Sequence, residues 1–208
     1  MTNRTIDIKR VEVNPTEPVS LDEVKDKLII TSTDDDDLLT DLIISCRKMI
    51  ENSCNISLVP KTITWFVDLS KEWEFPYGPV TGLLSVQTRT GGEGSGPGTY
   101  ATLESGWTTD GDEFLSFIPS DVSGFNPGRP FTGHFEWGPY ASTNSRNWTR
   151  YKLVYTAGYT QVPQDLIDAI IAQVAYEYEN RGERNDSNNG ICSAAENKAA
   201  SHRRKLWF

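Results

Sequence analysis

An α+β fold is predicted for this chain of 208 residues by three features of its sequence. Apolar residues recur every three or four positions in two long stretches, β-branched and aromatic runs lie between them, and the glycines concentrate in one segment. The predicted architecture is a helical bundle of three main helices with a small β-sheet or hairpin part, enlarged by a glycine- and aromatic-rich β insertion. Residues 1–17 are expected to form an N-terminal arm. Residues 18–90 and 148–182 make the core, 91–147 the insertion and 183–208 a C-terminal arm.

The first helix is announced by Ser20-Leu21-Asp22-Glu23, a capping box ahead of Leu21, Val24 and Leu28. It is expected to end near Ile29–Ile30. A second, longer helix opens at Asp34-Asp35-Asp36-Asp37. Leu38, Leu39, Leu42, Ile43, Cys46, Met49, Ile50 and Ser53 then follow at helical spacing. The four carboxylates suit an N-cap and the positive end of the helix dipole. A calcium loop would need a glycine turn that this run lacks.

Lys61 to Leu69 and Val80 to Arg89 read as strands, separated by breaks at Pro76, Gly78 and Pro79. From Thr90 to about Asn147 the chain holds 11 of its 16 glycines, together with rings such as Tyr100, Trp107, Trp137 and Tyr140. Disordered linkers are poor in aromatics, so short strands with a small core of their own are expected there. Strand pattern resumes over Trp148–Tyr159. Pro163 starts a third helix striped by Leu166, Ile167, Ile170, Ile171, Val174 and Tyr178, which closes at Arg181 and Gly182. A short helix is predicted over Ser193–Ala200.

Composition narrows the function. A formal charge of −9 opposes wrapping of duplex nucleic acid, and no apolar run approaches the roughly 18–20 residues of a membrane span. No signal segment opens the chain, so a cytoplasmic origin is expected. Cys46 and Cys54 are about 12 Å apart along one helix and cannot bridge while it stands. With His134 and His202 as the two histidines, no metal site and no cofactor are predicted. No Walker loop, dinucleotide fingerprint or nucleophile elbow appears. Glu177 and Glu179 face apart on their helix. The expectation is a protein without enzymatic activity.

Four stretches carry a family resemblance. They are Pro18-Val19-Ser20-Leu21-Asp22-Glu23-Val24-Lys25, then Asp35-Asp36-Asp37-Leu38-Leu39 with Ile43 and Ile44, then Trp65, and last Tyr155-Thr156-Ala157-Gly158-Tyr159 with Tyr178-Glu179-Asn180-Arg181. In this order they resemble the head–tail connector (adaptor) proteins of tailed bacteriophages. The resemblance implies a homo-oligomeric ring, typically of twelve copies, in the virion neck at the portal vertex. Its partners would be the portal protein, a stopper or tail-terminator protein, and genomic DNA that passes without specific binding. The second and third helices would pack side by side, and the chain's C-terminus would reach the portal. The insertion is longer than the hairpin usual in the family.

Two sets of candidate contact residues follow. Arg203, Arg204, Lys205, Leu206, Trp207 and Phe208 form a basic tail with aromatic anchors, suited to docking on an acidic partner such as the portal; the alternative is a tail folded back on its own helices. Leu42, Cys46, Met49, Ile167, Ile171, Tyr178 and Arg181 are the candidate inter-subunit helix contacts. The acidic balance suits either a DNA-repelling channel wall or simple solubility. A runner-up function is a glycan- or host-surface-binding module built on the aromatic insertion. A weaker one is a hydrolase using Glu104, Asp110, Asp112 and Glu113.

Overall fold

A computed structural model describes residues 4–69, 73–90, 99–104, 107–109, 116–119, 149–180 and 190–204. Among the described residues there are four helices and eight strands. The helices are α1 (Leu21–Leu28), α2 (Asp36–Cys54), α3 (Gln164–Glu179) and α4 (Ser193–Ala199), the last running into a 3-10 turn at Ala200–His202. The eight strands are β1 (Arg4–Glu12), β2 (Lys61–Leu69), β3 (Trp73–Glu74), β4 (Val80–Thr90), β5 (Thr99–Thr102), β6 (Trp107–Thr109), β7 (Ser116–Pro119) and β8 (Thr149–Ala157).

The capping logic of α1 holds. The Glu23 amide donates to Ser20 Oγ at 3.2 Å. At the other end Ile29 adopts the left-handed conformation, φ 57°, and the chain closes as a Schellman motif. There the Ile30 amide bonds the Lys25 carbonyl at 3.0 Å and the Ile29 amide the Asp26 carbonyl at 3.4 Å. Helix α2 ends the same way, with Asn55 in the left-handed position and the Ile56 amide on the Glu51 carbonyl at 3.1 Å. Asparagine tolerates that conformation; a β-branched isoleucine does so at a cost.

The main sheet is antiparallel throughout, in the order β1-β2-β8-β4-β5; β3, β7 and β6 form a second, three-stranded sheet. The N-terminal arm predicted over 1–17 thus supplies an edge strand. Its pairing partner Trp65 lies opposite Ile8. Where a small β-sheet or hairpin part was expected, the described residues form a five-stranded sheet, and the short helix predicted over Ser193–Ala200 is present as α4. Strands β5, β6 and β7 fall within the stretch 91–147; the rest of that stretch, with most of its rings, lies outside the described residues.

Two apolar clusters form. The helical one is aliphatic, with Leu39, Ile43, Ile50, Leu166, Ile170 and Val174 buried among α1–α4. The sheet one is aromatic: Trp65, Phe75, Tyr151 and Tyr155 with Ile63, Val67, Val86 and Leu153. In β2 buried residues alternate with half-buried ones from Lys61 to Asp68, the alternation of a strand with one face covered.

Candidate functional site

The seam between the two clusters is polar and charged. Arg47 lies on the buried side of α2 and is fully enclosed, 0% exposed. Its Nε donates to Glu17 at 2.8 Å, and its Nη atoms reach Glu12, Glu17 and Glu51 at 3.1–3.4 Å. Glu51, one helical turn on, also accepts from Lys61 Nζ and from the Leu58 amide at 2.7 Å. Five charged side chains from β1, the β1–α1 connection, α2 and β2 therefore meet in one network, buried at Arg47, Glu51 and Lys61 and partly exposed at Glu12 and Glu17. Burial would lower the Arg47 pKa, but its hydrogen bonds to Glu17 and Glu12 outweigh that and raise it. Burial likewise pushes the Glu12 carboxyl up, yet the Arg47 contact, with Lys61 adding, holds it below the ordinary carboxylate value.

A second strut enters from the C-terminus. The Arg204 amide donates to the Cys54 carbonyl at 2.9 Å, and Asn55 Nδ2 donates to the Arg204 carbonyl at 3.2 Å. Its guanidinium lies over Gly78, where a Cβ would come 2.4 Å from Nη1. Burial lowers the Arg204 pKa, partly offset by Glu74, Tyr155 and Tyr159. Arg203 meets Ser53 at 3.0 Å and Glu196 at 3.2 Å. The tail thus folds back on its own subunit as far as Arg204, and these two arginines, expected at a docking arm, are tied to α2 and α4. Lys205, Leu206, Trp207 and Phe208 lie outside the described residues, as does Arg181.

Gly158 explains the Ala157-Gly158-Tyr159 element. It has φ +147°, and a Cβ there would lie 2.9 Å from backbone atoms of Val59 and Pro60. That close crossing carries the chain from Tyr155 in the aromatic cluster to Tyr159 against the aliphatic one.

The remaining candidates divide. Helices α2 and α3 pack side by side, as expected. Cys46 is fully buried, its thiol pushed up to about 12 by burial first and by Glu177 and Cys192 next, and Ile171 is 8% exposed. Both serve the subunit's own core, because they sit where α2 and α3 face the other helices, and neither is available to a neighbour. Leu42, Met49, Ile167 and Tyr178 are half-buried at the margin of the same cluster. The acidic start of α2 does more than complement the dipole. Asp35 occupies the N-cap without a side-chain capping bond, and its carboxylate accepts from Tyr178 Oη at 2.7 Å. Asp36 pairs with Lys25 at 2.6 Å. These carboxylates tie α1 and α3 to α2.

The charge network was not foreseen. Its signal lay in the α2 stripe, where Arg47 and Glu51 interrupt an otherwise apolar face at positions four apart.

Residues 18–78, which span α1, α2, β2 and the Gly78 crossing, match the model of the phage gp6-like head-tail connector protein family. Over that segment the chain is similar to head–tail connectors. This match takes in three of the four stretches that carry the resemblance drawn from the sequence, those at 18–25, 35–44 and Trp65. Solved structures extend a likeness in fold across nearly the whole chain. The neck of an empty GTA particle computed with C6 symmetry contains a chain 16% identical, with a TM-score of 0.62 and 98% of each chain covered. The neck of a native GTA particle computed with C12 symmetry gives 14% identity, TM-score 0.63 and 98% of each chain. The virion of a native gene transfer agent (GTA) particle gives 17% identity, TM-score 0.61, and 98% and 97% of the two chains. No curated protein matches the sequence.

Proposed function

We propose that this protein is a structural head–tail connector subunit of the virion neck of a tailed phage or phage-like particle. The match of residues 18–78 to the connector family carries this reading. The chain-wide likeness in fold to components of particle necks supports it. In this reading copies of the chain, twelve in the finer form of the proposal, form a ring between the portal and a stopper or tail-terminator protein. DNA passes through the ring without specific binding. The half-buried Leu42, Met49 and Ile167 are covered further by neighbouring copies.

Docking to the portal falls to Lys205–Phe208, because Arg203 and Arg204 are engaged within the subunit. A chain truncated after Arg204 keeps its far-UV circular dichroism and thermal midpoint, while its co-purification with portal-bearing capsids is lost. Undiminished attachment of the truncated chain refutes the docking assignment. Tailed particles assembled normally in the absence of the whole protein refute the connector function itself.

A further inference from the structure

We propose that the outward face of the five-stranded sheet docks onto the acidic α1–α2 corner of a second copy of this chain, in a head-to-tail contact between neighbours. The proposal rests on the ring reading above and names the surfaces that would make the ring.

The sheet face comes from strand alternation. Ile63, Trp65 and Val67 point into the aromatic cluster, so Thr64, Phe66 and Asp68 point outward. Register places Lys9 opposite Thr64, Lys152 opposite Phe66 and Arg150 opposite Asp68. Lys9 stands 5.8 Å over the Phe66 ring, and Tyr100 meets the same ring edge-on at 5.8 Å. Tyr100 in turn pairs with Arg89 across β4–β5. The face therefore carries Lys9, Arg89, Arg150 and Lys152 against Asp7 and Asp68, around an aromatic centre. In a chain of net charge −9 this is a basic surface.

The corner is its complement. Eight carboxylates and two lysines lie between Ser20 and Asp41, six of the nine net negative charges of the chain. Asp37 and Asp41 are exposed. Between α1 and α2 projects Ile29, 87% exposed and held at φ 57°. A β-branched side chain in the left-handed region is strained by about 1–3 kcal/mol. Within one copy Ile29 gains no burial to offset it.

Among the described residues no ion pair joins the face to the corner of the same copy. Charge complementarity thus points to another copy, since each chain carries both halves of the contact. Two different surfaces meeting head to tail generate a ring when the rotation closes. An acidic corner with an apolar knob fits a basic face with an aromatic centre, the arrangement that steers and then anchors an interface.

Zero-length carbodiimide coupling of the full-length chain tests this, since it joins a lysine amine to a carboxylate with loss of water. At millimolar protein and low salt, mass spectrometry of mixed isotope-labelled and unlabelled chains is expected to find Lys9 or Lys152 of one copy joined to Asp37 or Asp41 of another. Yield should fall severalfold at about 0.15 M salt, where the screening length is roughly 8 Å. R89E/K152E and D37K/D41K should each abolish the self-contact, and mixing the two variants should restore it, because each then offers the sign the other lacks. Ile29→Gly should leave the thermal midpoint unchanged or higher while lowering cross-link yield.

Absence of intermolecular coupling, or coupling indifferent to both reversals, overturns the proposal. So does retention of a duplex oligonucleotide by the wild type that R89E/K152E abolishes, which assigns the face to nucleic acid. Particles that need the protein for tail attachment yet assemble normally with the reversed variants defeat this interface and leave the connector function standing.

Discussion

The helical and sheet regions are held by different means. Among the helices the buried members are aliphatic, and the elements are fastened at their ends by polar pins: Lys25 to Asp36, Tyr178 to Asp35, and Gln173 to Gly190 and Cys192. In the sheet the buried members include four rings, stacked closely enough that Phe75 and Tyr155 lie 4.6 Å apart. Interlocking helices accept branched aliphatics in grooves, whereas the rings under this sheet bury a large apolar area each, beside Ile63, Val67, Val86 and Leu153. Between these two cores the molecule places charge. A seam of this kind fixes one relative position, since each donor must meet its acceptor, and it is costly to leave half-made.

The largest effect should come from breaking that seam. Arg47→Met removes the shared donor of Glu12, Glu17 and Glu51 and leaves Glu51 buried with the Lys61 ammonium and the Leu58 amide. A loss of about 3–5 kcal/mol is expected from urea unfolding, the range for removing one partner of a buried ion network. It should also separate the helical transition, followed by far-UV circular dichroism, from the tryptophan fluorescence transition of the sheet. Coincident transitions with unchanged stability would show that apolar contact alone couples the two regions.

Gly158→Ala comes next. It strains the backbone at φ +147° and drives a methyl into Val59 and Pro60, at a cost of about 1–3 kcal/mol. Because that crossing joins the two cores, both probes should shift together. A variant as stable as the parent would mean the chain relaxes there freely.

The smallest effect is a pH dependence. Glu12 is depressed in the folded state, so its contribution is present above its unfolded pKa and lost as pH falls through the folded value. Stability of the wild type should decline on acidification below the ordinary carboxylate range. Glu12→Gln should be less stable at neutral pH and show a shallower decline. An equally steep acid limb in both proteins would assign the loss to other carboxylates.

Helix boundaries were legible because their signals are local: Ser20 and Glu23 at one start, Pro163 before another, and apolar residues at turn spacing between. Strand β2 was legible from its composition, and its bounds match those read from the sequence. Strand β1 was not. Ile6 and Ile8 alternate, but the phase then changes so that Val11 and Val13 face solvent, and one bulge separates Thr5 from Asp7. Edge strands gain most of their definition from a partner far along the chain.

The sequence by itself determined roughly where the helices begin, the strand nature of 61–69 and of the stretch 148–159, and the resemblance to head–tail connectors, because each rests on neighbours within a few turns or on ordered motifs. Tertiary structure alone decided that Arg47 gathers three glutamates, that the Arg204 guanidinium lies over Gly78, and that basic and acidic surfaces separate onto sheet and helices. Those outcomes depend on distances between residues remote in sequence, which pattern and composition do not contain.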